Sequence, residues 1–285
     1  MTILITGANG VVSRALLDVL PALLPSPKDL RLLVRDPAKA PDVPGAEVAV
    51  GDLDEPASLN EAFTGVDTLW LLTAMGPQAP HATTNAVWAA RKAGVRHVVR
   101  MSAVGAAHDA PTRNGRLHAL SEVELKASGL GWTILKPHFF MQNLLGSVSG
   151  TTLYGALGEG RLGMVDVRDI ADAAARVLAA PAAHDGKVYT LTGPASLSLR
   201  EAAAELGPVL GEPITYQPVP PADVHETLLA QGLPAWDAAV YVEYFNAYSA
   251  GWGDFTTGDH ATVTGRQPRS FAEFARDHAD RLRGA

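Results

Sequence analysis

The sequence predicts an α/β fold: a doubly wound parallel sheet with a smaller C-terminal α/β subdomain. Three observations support this prediction. Short apolar runs alternate with helical patterns through the first half of the chain, a glycine-containing turn joins the first run to the first helical pattern, and the pattern changes after Pro137. Strand–helix–strand repeats of this kind bury both faces of a parallel sheet, so the alternation predicts parallel pairing.

The first half of the chain supplies the predicted sheet. Each apolar run is five or six residues long, and each helical pattern lies between two such runs. Gly129 follows the last helix as a typical C-terminal cap. The candidate strands are 2–6, 30–35, 46–50, 68–73, 97–102 and 132–136, and the candidate helices are 13–24, 56–63, 79–93 and 116–128.

After Pro137 the chain mixes strands and helices too closely for a linker. We predict one domain over 1–138, completed by elements of 164–192, and a subdomain over 139–285. The predicted elements of this part are a glycine-rich, hairpin-like segment at 151–163, a helix at 168–179, a strand at 187–191, a helix at 199–210, a strand at 214–217 and mostly helix thereafter.

Composition excludes several classes of function. The formal charge of −7 gives no global basic field to attract nucleic acid or an anionic membrane. The absence of cysteine excludes disulfides, thiolate metal sites and a cysteine nucleophile. Strand-like residues begin at Ile3 and no apolar run is as long as a membrane span, so we expect a cytoplasmic protein with a small-molecule partner.

The strongest local signal is TGANGVVS, which follows the first strand and opens the first helix. Two glycines allow a tight turn and let the backbone approach a pyrophosphate, which the helix N-terminus then binds. Ser13 stands where the full dinucleotide fingerprint has a third glycine, and an ordinary strand-to-helix turn is the alternative. The pattern predicts a Rossmann-type dinucleotide site. Its predicted cofactor-binding residues are Thr6, Gly7, Asn9, Gly10 and Val11.

The second strand ends in VRDPAK, which places Arg35 where an acidic residue would favour NAD, with Lys39 close behind it. Arginine is suited to bidentate contact with a 2′-phosphate, so these residues predict NADPH as the cofactor. A solvated charge pair between Arg35 and the adjacent Asp36 is the alternative interpretation.

Later strand ends supply further candidates at the same sheet edge. Asp52 could accept a hydrogen bond from the adenine amino group, with Leu53 against the ring, although Asp52 is equally suited to cap the next helix. Thr73, Ala74 and Met75 are predicted to border the ribose and nicotinamide, and Ser102 ends the fifth strand on the same ligand edge.

Several motifs, taken together and in order, resemble the NmrA-like branch of the atypical short-chain dehydrogenases/reductases. The resemblance is strongest to quinone-oxidoreductase-like and ergot-alkaloid-reductase-like members, spans essentially the whole chain, and implies an NADP(H)-binding protein. The motifs are TGANG, VRDPAK, GDL, RMSAVGA, SGLGWTILKPHFFMQN, VDVRDIADAAARVL, YTLTGPASLSLREAA and TGRQPRSFAEFARDH.

The resemblance also marks the helix at 116–128. Typical members of the wider superfamily join a serine, here Ser102, to Tyr-x-x-x-Lys on this helix, and the matching places hold His118 and Glu122. No tyrosine in the chain has a lysine four residues later. His118 is either a proton-relay element beside the nicotinamide or a structural side chain, and we expect no metal site because the other histidines are scattered.

Pro137 ends the sixth strand where the superfamily passes its chain over the nicotinamide, and HFFMQN follows it. His138, Phe139, Phe140 and Asn143 are therefore predicted to bind substrate, with His138 as a second candidate proton donor. Core packing is the alternative for the aromatic residues. Further along, aromatic side chains recur at helical spacing from Tyr241, which is typical of core packing or of the face of a homodimer.

The sequence thus predicts an NADPH-dependent reductase of a flat electrophilic molecule: a quinone, or a conjugated ketone or iminium of secondary metabolism. Such acceptors need little acid help, which agrees with the missing Tyr-x-x-x-Lys pair. A non-catalytic NADP(H) redox sensor acting through a protein partner is the alternative, and a redox-neutral isomerase or cyclase is a third.

Overall fold

A computed structural model of the chain describes residues 1–283. By backbone contacts the chain separates into two compact units. The first unit comprises Met1–His108, Asn114–Lys136 and Ile170–Tyr189. The second unit comprises Asp109–Arg113, Pro137–Asp169 and the chain from Thr190 onwards.

The strands and helices alternate as expected from the sequence. In chain order the strands are β1 (Ile3–Ile5), β2 (Leu30–Val34), β3 (Glu47–Val50), β4 (Thr68–Leu71), β5 (His97–Met101), β6 (Gly131–Pro137), β7 (Val148–Ser149), β8 (Thr152–Gly155), β9 (Arg161–Leu162), β10 (Lys187–Leu191), β11 (Leu197–Ser198) and β12 (Thr215–Pro218). The helices are α1 (Val11–Val19), α2 (Leu59–Ala62), α3 (Ala79–Ala93), α4 (Arg113–Ala127), α5 (Val167–Ala179), α6 (Leu199–Leu210), α7 (Pro221–Ala230), α8 (Ala235–Ser249), α9 (Asp259–Thr264), α10 (Phe271–Asp277) and α11 (Ala279–Leu282).

Seven strands form one sheet in the order β10-β6-β5-β4-β1-β2-β3. The pairings from β3 across to β6 are parallel. Strand order reverses between β1 and β4, and open parallel sheets bind ligands beside the carboxyl ends of the strands at such a reversal. The predicted doubly wound α/β fold is confirmed.

The core of the first unit explains why its strands read as continuous apolar runs. Ile3, Leu4 and Ile5 are all 0% exposed, because helices cover both faces of the sheet. On one face, a cluster that includes Phe63 and Val98 packs the helices onto the strands. Because helices cover both faces of the sheet, the backbone groups at the carboxyl ends of the strands are the part of the sheet left open to a ligand.

The second unit contains a three-stranded sheet, β12-β8-β7, and a two-stranded sheet, β11-β9. The predicted hairpin at 151–163 is therefore wrong: β8 lies between β7 and β12, and β9 pairs with β11. The glycines that suggested a turn serve close approach instead. A Cβ on Gly160 would collide with the Tyr248 carbonyl, and one on Gly163 with the Phe255 carbonyl. Within residues 1–283, no helix is both long and apolar enough to span a bilayer.

Candidate functional site

A groove of about 550 Å³ lies in the first unit, at the reversal of strand order. Loops after β1, β2, β3 and β4 form its walls. Nine of the predicted cofactor-binding residues line it: Thr6, Gly7, Asn9, Gly10, Arg35, Asp52, Leu53, Ala74 and Met75. The groove is also lined by residues that were not predicted to bind the cofactor, namely Ala8, Leu33, Val34, Gly51, Asp54, Leu72, Gly76, Pro77, Gln78, Ala79 and Ala82.

Five predicted cofactor-binding residues do not line this groove. Val11 is the exposed first residue of α1, and Lys39 is exposed and paired with Asp36. Thr73 follows β4 and is partly buried. Ser102 is buried after β5. The last of the five, Pro137, is buried at the end of β6.

The glycine turn has the shape that close approach of an anion requires. Gly7 has φ +58°, and a Cβ there would lie 2.7 Å from Leu72 Cδ2. The Gly10 N–H donates to the Gly7 carbonyl at 2.9 Å, which closes the turn. Helix α1 then begins without a side-chain cap. The first-turn N–H groups are consequently available to a pyrophosphate, so the residues present fit a dinucleotide.

Ser13 has a definite role in place of the third glycine of the fingerprint. Its hydroxyl is buried, accepts a hydrogen bond from the Trp70 indole at 3.0 Å and donates to the Thr6 carbonyl at 3.4 Å. The Thr6 hydroxyl in turn accepts from the Leu72 N–H at 2.8 Å. This chain of hydrogen bonds ties the start of α1 to β1 and β4.

Arg35 lines the groove and is exposed at the end of β2, without a hydrogen bond or ion pair to any residue in 1–283. The neighbouring Asp36 is otherwise engaged. Its carboxylate accepts from the Ala38 N–H at 3.0 Å and lies 3.6 Å from the Lys39 ammonium. The Arg35 guanidinium is thus free to contact a phosphate, for which its planar set of N–H donors is suited.

Asp52 combines features of both sequence interpretations. One carboxylate oxygen accepts from the Asp54 N–H at 3.0 Å, which is a local capping contact. The residue nevertheless lines the groove, and the following Leu53 is held by a hydrogen bond of 2.8 Å from the Asn85 side chain to its carbonyl.

Glu122 on α4 is the centre of a buried charge cluster in the first unit. Its carboxylate accepts from the Ser102 hydroxyl at 2.6 Å and lies 3.0 Å from the Lys136 ammonium and 3.3 Å from that of Lys126. Lys136 also donates to the Ala106 carbonyl at 3.1 Å. Helix α4 has Glu122 where Tyr-x-x-x-Lys would place its lysine, and the ammonium group that contacts this glutamate comes instead from Lys136 on β6.

His118 lies beside a second buried cation. Its Nδ1 is 3.4 Å from Arg100 Nη2, and the other terminal nitrogen of Arg100, Nη1, donates to the Thr83 hydroxyl at 3.0 Å. Burial, then the charges of Arg100 and Lys136, lower the pKa of His118 to about 3. The residue as a whole is partly buried, and the lowered pKa keeps the ring neutral at neutral pH. Burial also lowers the pKa of Arg100 to about 10, although the negative charge of Glu122 raises it and so limits the shift.

Arg100 and Lys136 were missed in the sequence. Each follows apolar residues within a strand, in HVVRM and WTILKP, and a charged side chain in such a run is the signal that could have identified them. Charged residues are almost never fully buried unless they are paired, so their presence in a central strand indicates a partner or a ligand.

The four predicted substrate-binding residues lie in the second unit. His138 is 2% exposed, stacks on Tyr248 with ring centroids 5.7 Å apart, and meets the Phe255 ring edge-on at 5.2 Å. Burial lowers the pKa of His138 to about 4, although the Gly253 carbonyl beside the ring opposes the shift. Its Nε2 has no hydrogen-bond partner of good geometry in residues 1–283.

The other three differ in environment. Phe139 is partly buried against Tyr248, with ring centroids 6.0 Å apart, and packs against the core of the second unit. Phe140 is partly buried and its backbone bridges to Val165. Asn143 is exposed on a short 3₁₀ helix over Met141–Leu144, whereas the neighbouring Met141 is buried in that core.

Comparison with known proteins places the groove in context. A family model described as NAD(P)H-binding matches residues 7–181. The chain is 36% identical over 287 residues to an NAD(P)H azoreductase from Xenophilus azovorans, covering 97% of this chain and 98% of that protein. Agroclavine dehydrogenase from Claviceps fusiformis is 28% identical over 98% of this chain and 97% of its own length. The solved structure of an NADPH-dependent quinone oxidoreductase from Escherichia coli, complexed with NADPH, has a TM-score of 0.87 at 30% identity and covers 98% of this chain and 100% of that one.

Proposed function

Because this chain belongs to the NAD(P)H-binding family, we propose that it is an NADPH-dependent reductase of flat, electrophilic small molecules such as a quinone, a conjugated ketone or an iminium. The resemblance seen in the sequence is confirmed, and the chain is an NAD(P)H-dependent oxidoreductase. The proposal concerns the choice of NADPH, the class of acceptor and the absence of a Tyr-x-x-x-Lys pair.

The observation on which the cofactor choice rests is the unpaired Arg35 in the groove. NADPH differs from NADH by a 2′-phosphate, and an arginine at the end of the second strand is placed to contact it. The glycine turn and the uncapped start of α1 would hold the pyrophosphate. When bound, the cofactor supplies a hydride.

The acceptor class follows from what the cluster around α4 provides. It has no tyrosine, and both His118 and His138 have lowered pKa values that leave them neutral at neutral pH. Water is therefore the source of the proton that accompanies the hydride. Quinones and conjugated ketones suit this arrangement, because hydride transfer leaves a delocalised anion that needs no strong acid, and an iminium becomes a neutral amine. The relatives described above are named as an azoreductase, a quinone oxidoreductase and agroclavine dehydrogenase, and these names support the same class of acceptor.

The remaining assignments extend this proposal. His138, Phe139, Phe140 and Asn143 would contact the acceptor, so the second unit is proposed to bind substrate. Thr73, Ser102 and Pro137 would border the nicotinamide side of the cofactor. Val11 and Lys39 would lie beside its phosphates. We expect a cytoplasmic protein without a nucleic-acid or membrane partner.

The test is turnover of an acceptor panel with NADPH: a benzoquinone, a naphthoquinone, a sulfonated azo dye, an enone and a cyclic iminium. We expect at least one flat acceptor to be reduced well above the non-enzymatic rate, and NADPH to be preferred over NADH. Tight binding of NADPH with no turnover of any member would refute the reductase proposal. Equal affinity for NADPH and NADP⁺ in that case would favour the redox sensor.

A further inference from the structure

We propose that Arg100 is a positioning residue: it fixes His118 as a neutral imidazole with its proton on Nε2, and this N–H serves the reduction as a hydrogen-bond donor. The proposal rests on the proposed function for its catalytic consequence. The fixed state of the imidazole stands on the contacts of the first unit alone.

The Arg100 side chain is itself held in place. It is 0% exposed on β5, and one terminal nitrogen donates to the Thr83 hydroxyl at 3.0 Å. The proton of that hydroxyl is directed to the Ala79 carbonyl, 2.9 Å away on the preceding turn of α3, so the oxygen can only accept from Arg100. Arg100 has no carboxylate within ion-pair distance in residues 1–283. Its charge is buried, fixed in direction and incompletely compensated.

The contact with Arg100 selects one form of His118. A guanidinium group has five N–H donors and no acceptor, so the Nδ1 that faces it at 3.4 Å must present a lone pair. A neutral imidazole with an unprotonated Nδ1 carries its proton on Nε2. That Nε2 makes no hydrogen bond to any other residue between 1 and 283. This N–H is therefore not used by the described part of the chain, and the proposal assigns it to the acceptor.

The surrounding charges disfavour a second proton on the ring. Arg100 faces it from β5 and Lys136 from β6, and both act against the imidazolium. Glu122 lies one turn further along α4, but its carboxylate is engaged by Ser102 and Lys136. The local balance of charge around His118 is thus positive.

A neutral donor of this kind stabilises charge without giving up its proton. Hydride transfer to a carbonyl carbon, or to a quinone, leaves the acceptor oxygen negative, and a fixed N–H close to that oxygen stabilises it. Water then supplies the proton, so the cofactor is oxidised, the acceptor gains one hydride and one proton, and His118 ends as it began. Unlike an imidazolium, this donor does not disappear as the pH rises.

The first test is spectroscopic and needs no substrate. In protein labelled with ¹⁵N-histidine, the His118 signals are assigned by their loss in His118→Gln. We expect a protonated Nε2, an unprotonated Nδ1 and no titration between about pH 5 and 8. An Nδ1–H form, or a midpoint near the ordinary value of about 6.5, would overturn the proposal.

Variants separate the role of Arg100 from a general effect of charge. Arg100→Met should raise the titration midpoint of His118, because it removes one of the two cations that lower it, whereas Arg96→Met, which removes an exposed arginine just before β5, should leave it unchanged. An unaltered midpoint in folded Arg100→Met would count against the proposal. If that variant does not fold, the measurement on the wild-type protein still decides the state of the ring.

The second test is kinetic, on the best acceptor of the panel. We expect His118→Ala to lower kcat about 100-fold, with little change in the KM for NADPH, as for loss of one donor to an oxyanion. His118→Gln keeps an N–H donor that cannot titrate, and should retain kcat within about tenfold of wild type across the pH range. Full activity of His118→Ala would exclude the role in catalysis. If the wild-type protein reduced no acceptor, the proposed function would fail, while the spectroscopic result would stand by itself.

Discussion

Replacement of Arg35 by alanine should weaken NADPH binding selectively. The guanidinium lies in the groove, is exposed and has no ion pair in residues 1–283, so its removal breaks no contact within the protein. A hydrogen bond to a charged group contributes about 1.5–3 kcal/mol, and solvent exposure at this site places the value at the lower end. At 1.4 kcal/mol per factor of ten, we expect Kd for NADPH to rise about 10- to 30-fold. Kd for NADH should stay within about twofold, because NADH lacks the phosphate.

Titration of nicotinamide fluorescence with each cofactor measures both constants. The matched control is Lys28→Ala. Lys28 is exposed just before β2 and does not line the groove, so its loss should leave Kd for NADPH within about twofold of wild type. The difference between Arg35→Ala and wild type should shrink at high salt, because an exposed charge contact is screened. Unchanged NADPH affinity in Arg35→Ala, or an equal loss for NADH, would refute the 2′-phosphate role.

Three further variants test the contacts around the site. Ser13→Ala leaves the buried Trp70 indole without its acceptor and should lower the free energy of unfolding by about 1–3 kcal/mol, measured by denaturant titration, with wild-type far-UV circular dichroism as the check on folding. Glu122→Gln removes the carboxylate from a buried cluster and should lower the free energy of unfolding by about 3 kcal/mol. Lys126→Ala, at the more exposed partner, should lower it by about 1 kcal/mol or less, and similar losses in the two variants would contradict the buried role of Glu122. Burial lowers the pKa of His138 to about 4, so its contribution to the free energy of unfolding is complete above about pH 6.5 and is lost as the pH falls, by up to about 3 kcal/mol. His138→Phe should therefore flatten the dependence of the free energy of unfolding on pH over that range. An unaltered pH slope would argue against this role of His138.

The strands and helices of the main sheet could be predicted because hydrophobic periodicity along the chain specifies each of them locally. Helix α3 has the predicted bounds, and the predicted strands of the main sheet agree with the observed ones within two residues at each end. Strand β9 pairs with β11, 35 to 37 residues later in the chain, and β8 pairs with β12, 63 residues later, as well as with the adjacent β7. Pairing over such distances leaves no local signal in the sequence. The glycines at 160 and 163 therefore suggested a turn, when their small size is needed for contact with α8 and the chain after it.

The groove could be predicted for a related reason. Parallel strands bring their carboxyl ends to one edge, so residues that follow β1, β2, β3 and β4 in sequence share a site in space. Arg100 and Lys136 lie within strands and contact residues on α3 and α4, which alternation along one strand does not reveal. Their role depends on which helix covers each strand face, and this is a tertiary property.

The cluster around α4 changes the meaning of the missing Tyr-x-x-x-Lys pair. Helix α4 carries Glu122 where the resemblance places the lysine, yet Lys136 reaches that carboxylate from β6 and Arg100 lies beneath His118 from β5. Two buried or nearly buried cations and one carboxylate leave an excess of positive charge, and the lowered pKa of His118 prevents a further proton from adding to it. An uncompensated buried charge is costly in the resting protein, and under the proposed function an acceptor that becomes negative on hydride transfer would relieve that cost. We therefore expect acceptors whose reduced form is an anion, such as quinones, to be reduced faster than those that become neutral, such as iminium ions; equal or faster reduction of the iminium in the acceptor panel would contradict this reasoning.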